Sequence, residues 1–204
     1  MSKIVILMLL LTLSGCLPTM FTAATSTTLA VAKDRSVDET IHDITIASAI
    51  KANLIKKNFR EAYTKINVEV VGGRILLTGK VNDEKYILEI VEIAWQQQGA
   101  KEVLNEIKVN ERSSHFDIVQ YTKDSLITGQ IKSKLLLNRA IKFVNYTVVT
   151  LDNTVYLFGI ARSNHELEQV AAVASTIRGV EKVISHVELR NVSSSSQEAD
   201  SLRD

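Results

Sequence analysis

Very little in this 204-residue chain suits covalent or metal chemistry. There is one cysteine, Cys16, so no disulfide can close within the chain. The four histidines, His42, His115, His165 and His186, are scattered and show no metal-ligand spacing, which reads as solvated surface. No Gly-x-Ser-x-Gly elbow, phosphate loop or His-Glu-x-x-His occurs. An enzyme is therefore not expected, and no cofactor or metal is implied. Excess charge is missing too. The 24 basic and 23 acidic residues leave +1, which falls to zero if a leader containing Lys3 is removed. General polyanion binding needs surplus Lys and Arg, so no nucleic-acid partner is expected. The apolar run Ile4–Leu13 is too short to span a bilayer as a permanent helix.

What the chain has is a duplication. Val68–Val109 recurs in register, 80 residues on, as Val148–Leu189. Leu77 falls on Leu157, Gly79 on Gly159, Ala94 on Ala174, Gly99 on Gly179 and Val103 on Val183. Upstream, after a one-residue adjustment, Ile50 and Leu54 meet Ile131 and Leu135. Two copies at this spacing are duplicated domains rather than a solenoid. Units of about 65 residues are at the small end of independent stability, which predicts that the copies lean on one another.

Ile46, Ile50 and Leu54 are spaced four apart and predict an amphipathic helix over about 39–57. Ile66–Val70 alternates as a half-buried strand, and Gly72-Gly73 supplies a tight hairpin. Arg74–Gly79 returns. Asn82 or Asp83 caps a helix over Glu84–Gln98, with Gly99 at its C-terminal end, and Lys101–Val109 is a third strand. The acidic pairs Asp38-Glu39 and Asp83-Glu84 sit where helices begin, where the dipole favours them. The second copy repeats the order, with helices over about 120–137 and 164–178 and Asp152-Asn153 at its hairpin. The expected class is α+β: in each copy two helices on one face of a three-stranded mixed sheet. The sole tryptophan, Trp95, reads as a packing residue of the first copy.

The leader has a basic start, a short apolar core and then small residues, as in a secretory signal peptide. Its end, Leu13-Ser14-Gly15-Cys16, resembles the lipobox of bacterial lipoproteins. That resemblance implies a thioether-linked diacylglyceryl group on Cys16 and cleavage before it. An ordinary signal peptide with an incidental cysteine is the alternative. Residue 17 is Leu rather than Asp, so the inner-membrane retention signal of enteric lipoproteins is absent. The organisation follows: signal peptide 1–15, lipidated Cys16 and a Thr/Ser/Ala-rich tether over 16–38, a first domain over 39–110, a polar linker 111–119, a second domain over 120–191 and a disordered tail 192–204.

The helix-strand-strand-helix-strand order, Gly79 and Gly159 at the strand ends, and Gly99 and Gly179 closing the second helices resemble the BON domain. With the lipobox and tether, the chain resembles the dual BON-domain outer-membrane lipoproteins of Gram-negative bacteria. The resemblance implies a non-enzymatic protein at the periplasmic face of the outer membrane that supports envelope integrity. It also implies a second domain that binds anionic phospholipid through its first helix. A KH-like RNA-binding reading has a similar element order, but neither copy has Gly-x-x-Gly between helices.

At about 100° per residue, Ile127, Ile131 and Leu135 lie within an arc of about 80°, facing the core. Leu126, Leu136 and Leu137 lie almost opposite, where the first copy has Thr45, Ile55 and Lys56. Lys132, Lys134, Arg139 and Lys142 flank them. Surplus leucines ringed by cations suit shallow insertion among anionic headgroups. Packing of the same stripe against the first domain, or docking on another envelope protein, are the alternatives.

Overall fold

The computed structural model describes residues 36–56, 66–109 and 117–190. The signal peptide, Cys16, most of the tether and linker, His115 and the tail from 192 onward lie outside the described residues. The first repeat runs α1 (Val37–Lys56), β1 (Ile66–Val71), β2 (Arg74–Val81), α2 (Glu84–Trp95) and β3 (Glu102–Val109). The second runs α3 (Ile118–Leu137), a 3-10 turn (Phe143–Asn145), β4 (Tyr146–Leu151), β5 (Thr154–Ala161), α4 (Asn164–Ser175) and β6 (Lys182–Leu189).

Each sheet is three-stranded and mixed. β1 pairs antiparallel with β2, which pairs parallel with β3; β4, β5 and β6 repeat this. Registers match at the repeat spacing, Ile66 facing Gly79 and Tyr146 facing Gly159. Alternation then divides the central strands. Ile75 and Leu77 join Ile46, Ile50, Leu54, Ile90 and Ala94 in one core under α1 and α2. Val155 and Leu157 join Ile127, Ile131, Leu135, Val170 and Ala174 in a second core under α3 and α4.

The opposite faces of the two sheets pack on each other. Val71 and Leu76 meet Tyr156 and Phe158 in a third core, flanked by Leu104, Val149, Leu151, Ile160 and Ile184. The layers are helices, sheet, sheet, helices. This is how two small repeats support each other: each sheet is covered on both faces, so β2 and β5 are buried almost end to end. The first strand of each repeat neighbours the second strand of the other, an arrangement with pseudo-twofold symmetry. His186 and Glu106 occupy matched repeat positions, and they meet each other, Nε2 to Oε1 at 2.9 Å. His186 is therefore a half-buried interface residue rather than the solvated one its sequence position implied.

Polar contacts rim this interface. Arg74 Nε lies 2.6 Å from Glu102 and 3.1 Å from Glu188, its Nη1 donates to the His186 carbonyl, and its guanidinium lies over the Phe158 ring. Lys80 donates to Asp152. The Tyr156 hydroxyl is buried here without a hydrogen-bond partner. Burial, with the Glu106 and Asp152 charges, pushes its pKa up to about 12.

Several element ends differ from the sequence expectation. α1 and α3 each start two residues earlier, α3 on its Asp117 cap, whose Oδ1 accepts from the N–H groups of Val119 and Gln120. α2 and α4 stop at Trp95 and Ser175 rather than running to Gly99 and Gly179. Short-range bonds, Gln97 N–H to Ala94 and Ala100 N–H to Gln97, tighten the chain before Gly99 reverses it at φ +91. Gly79 and Gly159 do not end their strands, which continue for two more residues. The reason for glycine is local: Gly159 sits at φ +147, and a Cβ there would lie 2.1 Å from the Asn145 carbonyl oxygen.

Candidate functional site

The candidate site is the outer face of α3. Its rotation is set from beneath. Asp124, buried on the core side, accepts from the N–H groups of Asp152 and Asn153, both at 2.9 Å, so the helix is fastened to the β4–β5 hairpin. Asp43 does the same for Gly72 and Gly73 at 2.8 and 2.9 Å. All four turn residues have positive φ, as a two-residue hairpin of this type needs. Thr128 Oγ1 donates to Thr150 one turn further along.

The C-terminal end of α3 is held by a buried carboxylate. Glu166 accepts from Lys142 N–H (2.6 Å), Arg162 N–H (2.8 Å) and the Arg162 guanidinium (2.9 Å), while Arg162 also donates to the Ala140 carbonyl. Burial alone would raise the Glu166 carboxyl. The hydrogen bonds from Arg162 and Lys142, with the Arg162 charge, outweigh it and hold the group below the usual carboxylate range. The loop leaving Leu136 and Leu137 is thereby fixed. The first repeat has Tyr86 at the matched place.

With the core side so fixed, the opposite side faces out. Leu126 is 60% exposed, Leu136 66% and Leu137 80%, so none packs against the first repeat. Ile118, Val119 and Tyr121 extend the exposed apolar surface toward the N-terminus. At about 100° per residue, a sector of about 140° opposite the core contains no charged residue. Lys123 and Lys134 border it on one side and Lys132 on the other, all exposed, with Arg139 just beyond the helix.

The contrast with the first repeat is softer than the sequence comparison implied. α1 also exposes apolar side chains, Ile41, Ile44 and Ile55. What separates the helices is the border: where α3 has Lys123, Lys134 and Val119, α1 has His42, Asn53 and Asp38. Trp95 is half-exposed on α2 rather than packed in the core. The four glycines Gly79, Gly99, Gly159 and Gly179 all have positive φ. Among the described residues, no group of His, Cys, Asp and Glu could hold a metal ion, and no helix is long and apolar enough to cross a membrane.

Two helix-on-sheet repeats with this topology define the class, and comparison with known proteins gives the family. The BON domain model matches residues 42–111 and again 123–191. The chain belongs to the BON-domain family and carries two such domains. It is 38% identical over 145 residues to an uncharacterised protein of Anaplasma centrale encoded in the gshII 5' region, covering 71% of this chain and 95% of that one. It is 32% identical over 150 residues to a 21 kDa hemolysin of Actinobacillus pleuropneumoniae, covering 74% and 75%. It is 28% identical over 173 residues to the outer membrane lipoprotein DolP of Haemophilus influenzae, covering 84% and 87%.

Proposed function

We propose that the protein is a non-enzymatic lipoprotein of the bacterial outer membrane, anchored through Cys16 and facing the periplasm. Its second BON domain lays α3 on anionic phospholipid, and the protein supports envelope integrity. The observation that carries this reading is the charge-free outer sector of α3, with three strongly exposed leucines between lysine borders. A leucine is worth about 1.5–3 kcal/mol when fully buried, and an interfacial helix gains part of that per residue. The lysines add attraction to an anionic surface that salt weakens. The lipobox-like Leu13–Cys16 and the likeness to a relative named as an outer membrane lipoprotein support the anchor and the location.

The test is sedimentation of the fragment 35–192 with phosphatidylglycerol vesicles, alongside a thermal melt. Leu126→Thr with Leu137→Lys installs the first-repeat residues. Stability should move by less than about 0.5 kcal/mol, and vesicle affinity should fall about tenfold or more. A folded double variant that binds vesicles as well as the parent overturns the lipid reading and leaves the same face for another envelope protein.

A further inference from the structure

The helical layers of the two repeats carry apolar patches with opposite charge around them. On α2, Leu88 is 71% exposed and Trp95 51%, one above the other on a stripe that also carries Glu84 and Glu92. With its cap, α2 holds four carboxylates, Asp83, Glu84, Glu89 and Glu92, against Lys85 alone, and Lys85 is itself paired with Asp83 at 2.9 Å. The second repeat builds the same helix with Glu168 and Ser175 at the matching places, so the fold requires neither apolar side chain. On α3 the balance is reversed. Lys123, Lys132 and Lys134, with Arg139 just beyond the helix, stand against the cap Asp117, which accepts from the first-turn N–H groups, and Asp124, which is buried and bound to the hairpin.

Because the sheets meet in the middle, α2 and α3 lie in opposite outer layers. The two patches cannot meet within one molecule. We propose that the acidic, Trp95-bearing face of α2 receives the basic, leucine-bearing face of α3 from a second copy of this chain. Leucines of one helix would lie on Leu88 and Trp95 of the other, and the lysine borders would face Glu84 and Glu92. Tryptophan is among the residues enriched as buried anchors at such contacts, and opposed charge sets the orientation. The patches differ, so the contact is head-to-tail and repeats along a row instead of closing as a symmetric pair. Two short helical stripes are small beside a stable interface, so the association is weak and develops where copies are crowded. It does not rest on the lipid reading, although it uses the same face of α3.

The experiment uses the full chain. Copies carrying Gln96→Cys beside the α2 patch are expressed together with differently tagged copies carrying Ser133→Cys on the outer face of α3. The cells are then treated with copper phenanthroline before lysis. The expected product is a mixed disulfide between the two tagged forms, exceeding that formed when Ser175→Cys on α4 replaces Ser133→Cys. Adding Leu88→Glu or, separately, Trp95→Ser to the Gln96→Cys copy should lower the mixed product about tenfold. Both substitutions copy residues that the second repeat already folds with. Equal products at Ser133→Cys and Ser175→Cys, or a dominant disulfide between two Gln96→Cys copies, would overturn the proposal. So would an undiminished yield in both α2 variants at unchanged protein level.

Discussion

The two repeats are most alike where residues face their own cores and differ most on the surfaces they do not share with themselves. Asp43 and Asp124 fasten their hairpins with the same pair of hydrogen bonds, and the sheets share one register. On the sheet faces that meet, however, Leu76, Thr78 and Lys80 of β2 stand against Tyr156, Phe158 and Ile160 of β5. Val71, Leu76 and the Arg74 guanidinium on one side receive Tyr156 and Phe158 from the other. On the outer layers, Leu88 and Trp95 become Glu168 and Ser175, while Thr45 and Lys56 become Leu126 and Leu137. A duplicated domain keeps the residues that make it fold and differentiates on the surfaces it does not share with itself. The central contact is thus a fitted pair rather than a self-complementary one.

The largest effect should come from breaking that fit. Phe158 is fully buried between the sheets and carries the Arg74 guanidinium over its ring. Phe158→Ala should cost about 3–5 kcal/mol, the usual price of emptying a buried aromatic site. Calorimetry should show one cooperative melt in the parent and a broadened or split melt in the variant. A single sharp transition at unchanged temperature would mean that the repeats do not depend on each other. Next come the clamps. Asp124→Asn and Asp43→Asn each turn a charged acceptor into an amide facing two backbone donors, and each should cost about 1.5–3 kcal/mol. Denaturant titration should find the two losses similar, because the geometries are. A large inequality would show that the hairpins are held differently in the two repeats.

Much of this was legible in the sequence for physical reasons. Four-residue apolar spacing placed α1 and α3, alternation placed β1, the 80-residue repeat placed β4, and the residues at 72–73 and 152–153 predicted the turns that their positive φ values display. The inter-sheet contact was missed although a signal was present. Ile75-Leu76-Leu77 and Val155-Tyr156-Leu157-Phe158 do not alternate, and a strand apolar on both faces is covered on both. The aspartate clamps left a fainter trace, one acidic residue at the same place on the buried side of both helices. His186 was misread because its match to Glu106 looked like two exposed positions. Near a pseudo-twofold axis, matched positions face each other, and opposite chemistry there means contact. The exposed stripe of α3 followed from angular periodicity alone. That α1 also exposes isoleucines needed the structure, since it depends on what the helix leaves uncovered.

An effect of about the same size should come from Glu166, which holds the loop after α3. Glu166 has no carboxylate counterpart, Tyr86 standing in its place. Its carboxyl is held below the ordinary range in the folded protein, so its contribution is fully present above the unfolded value near 4.5 and is lost as pH falls through the folded value. Glu166→Gln should remove about 1.5–3 kcal/mol at neutral pH. It should also flatten the fall in stability below about pH 4.5. Chemical denaturation at a series of pH values reads both. An acid limb as steep as the parent's would assign the pH dependence to other carboxylates.

The smallest effect should come from exchanging the turns themselves. Asp152 and Asn153 sit at φ 49 and 59, where a side chain costs strain that glycine avoids. Replacing them with Gly-Gly, the first-repeat turn, relieves that strain but gives the unfolded chain more freedom, and the two terms oppose each other. Side-chain bonds are also lost: Lys80 to Asp152, Gln120 to Asn153 and Asn153 to Glu181. These are exposed or half-exposed, and each is worth less than about 1 kcal/mol. The two backbone bonds to Asp124 remain, because they need only the N–H groups. The exchange should therefore shift stability by about 1 kcal/mol or less, well under the loss from Asp124→Asn, when both are measured by urea denaturation. If the Gly-Gly exchange instead costs as much as Asp124→Asn, the turn residues hold α3 to its sheet and the clamp does not. The second repeat would then be built around its hairpin in a way the first cannot be.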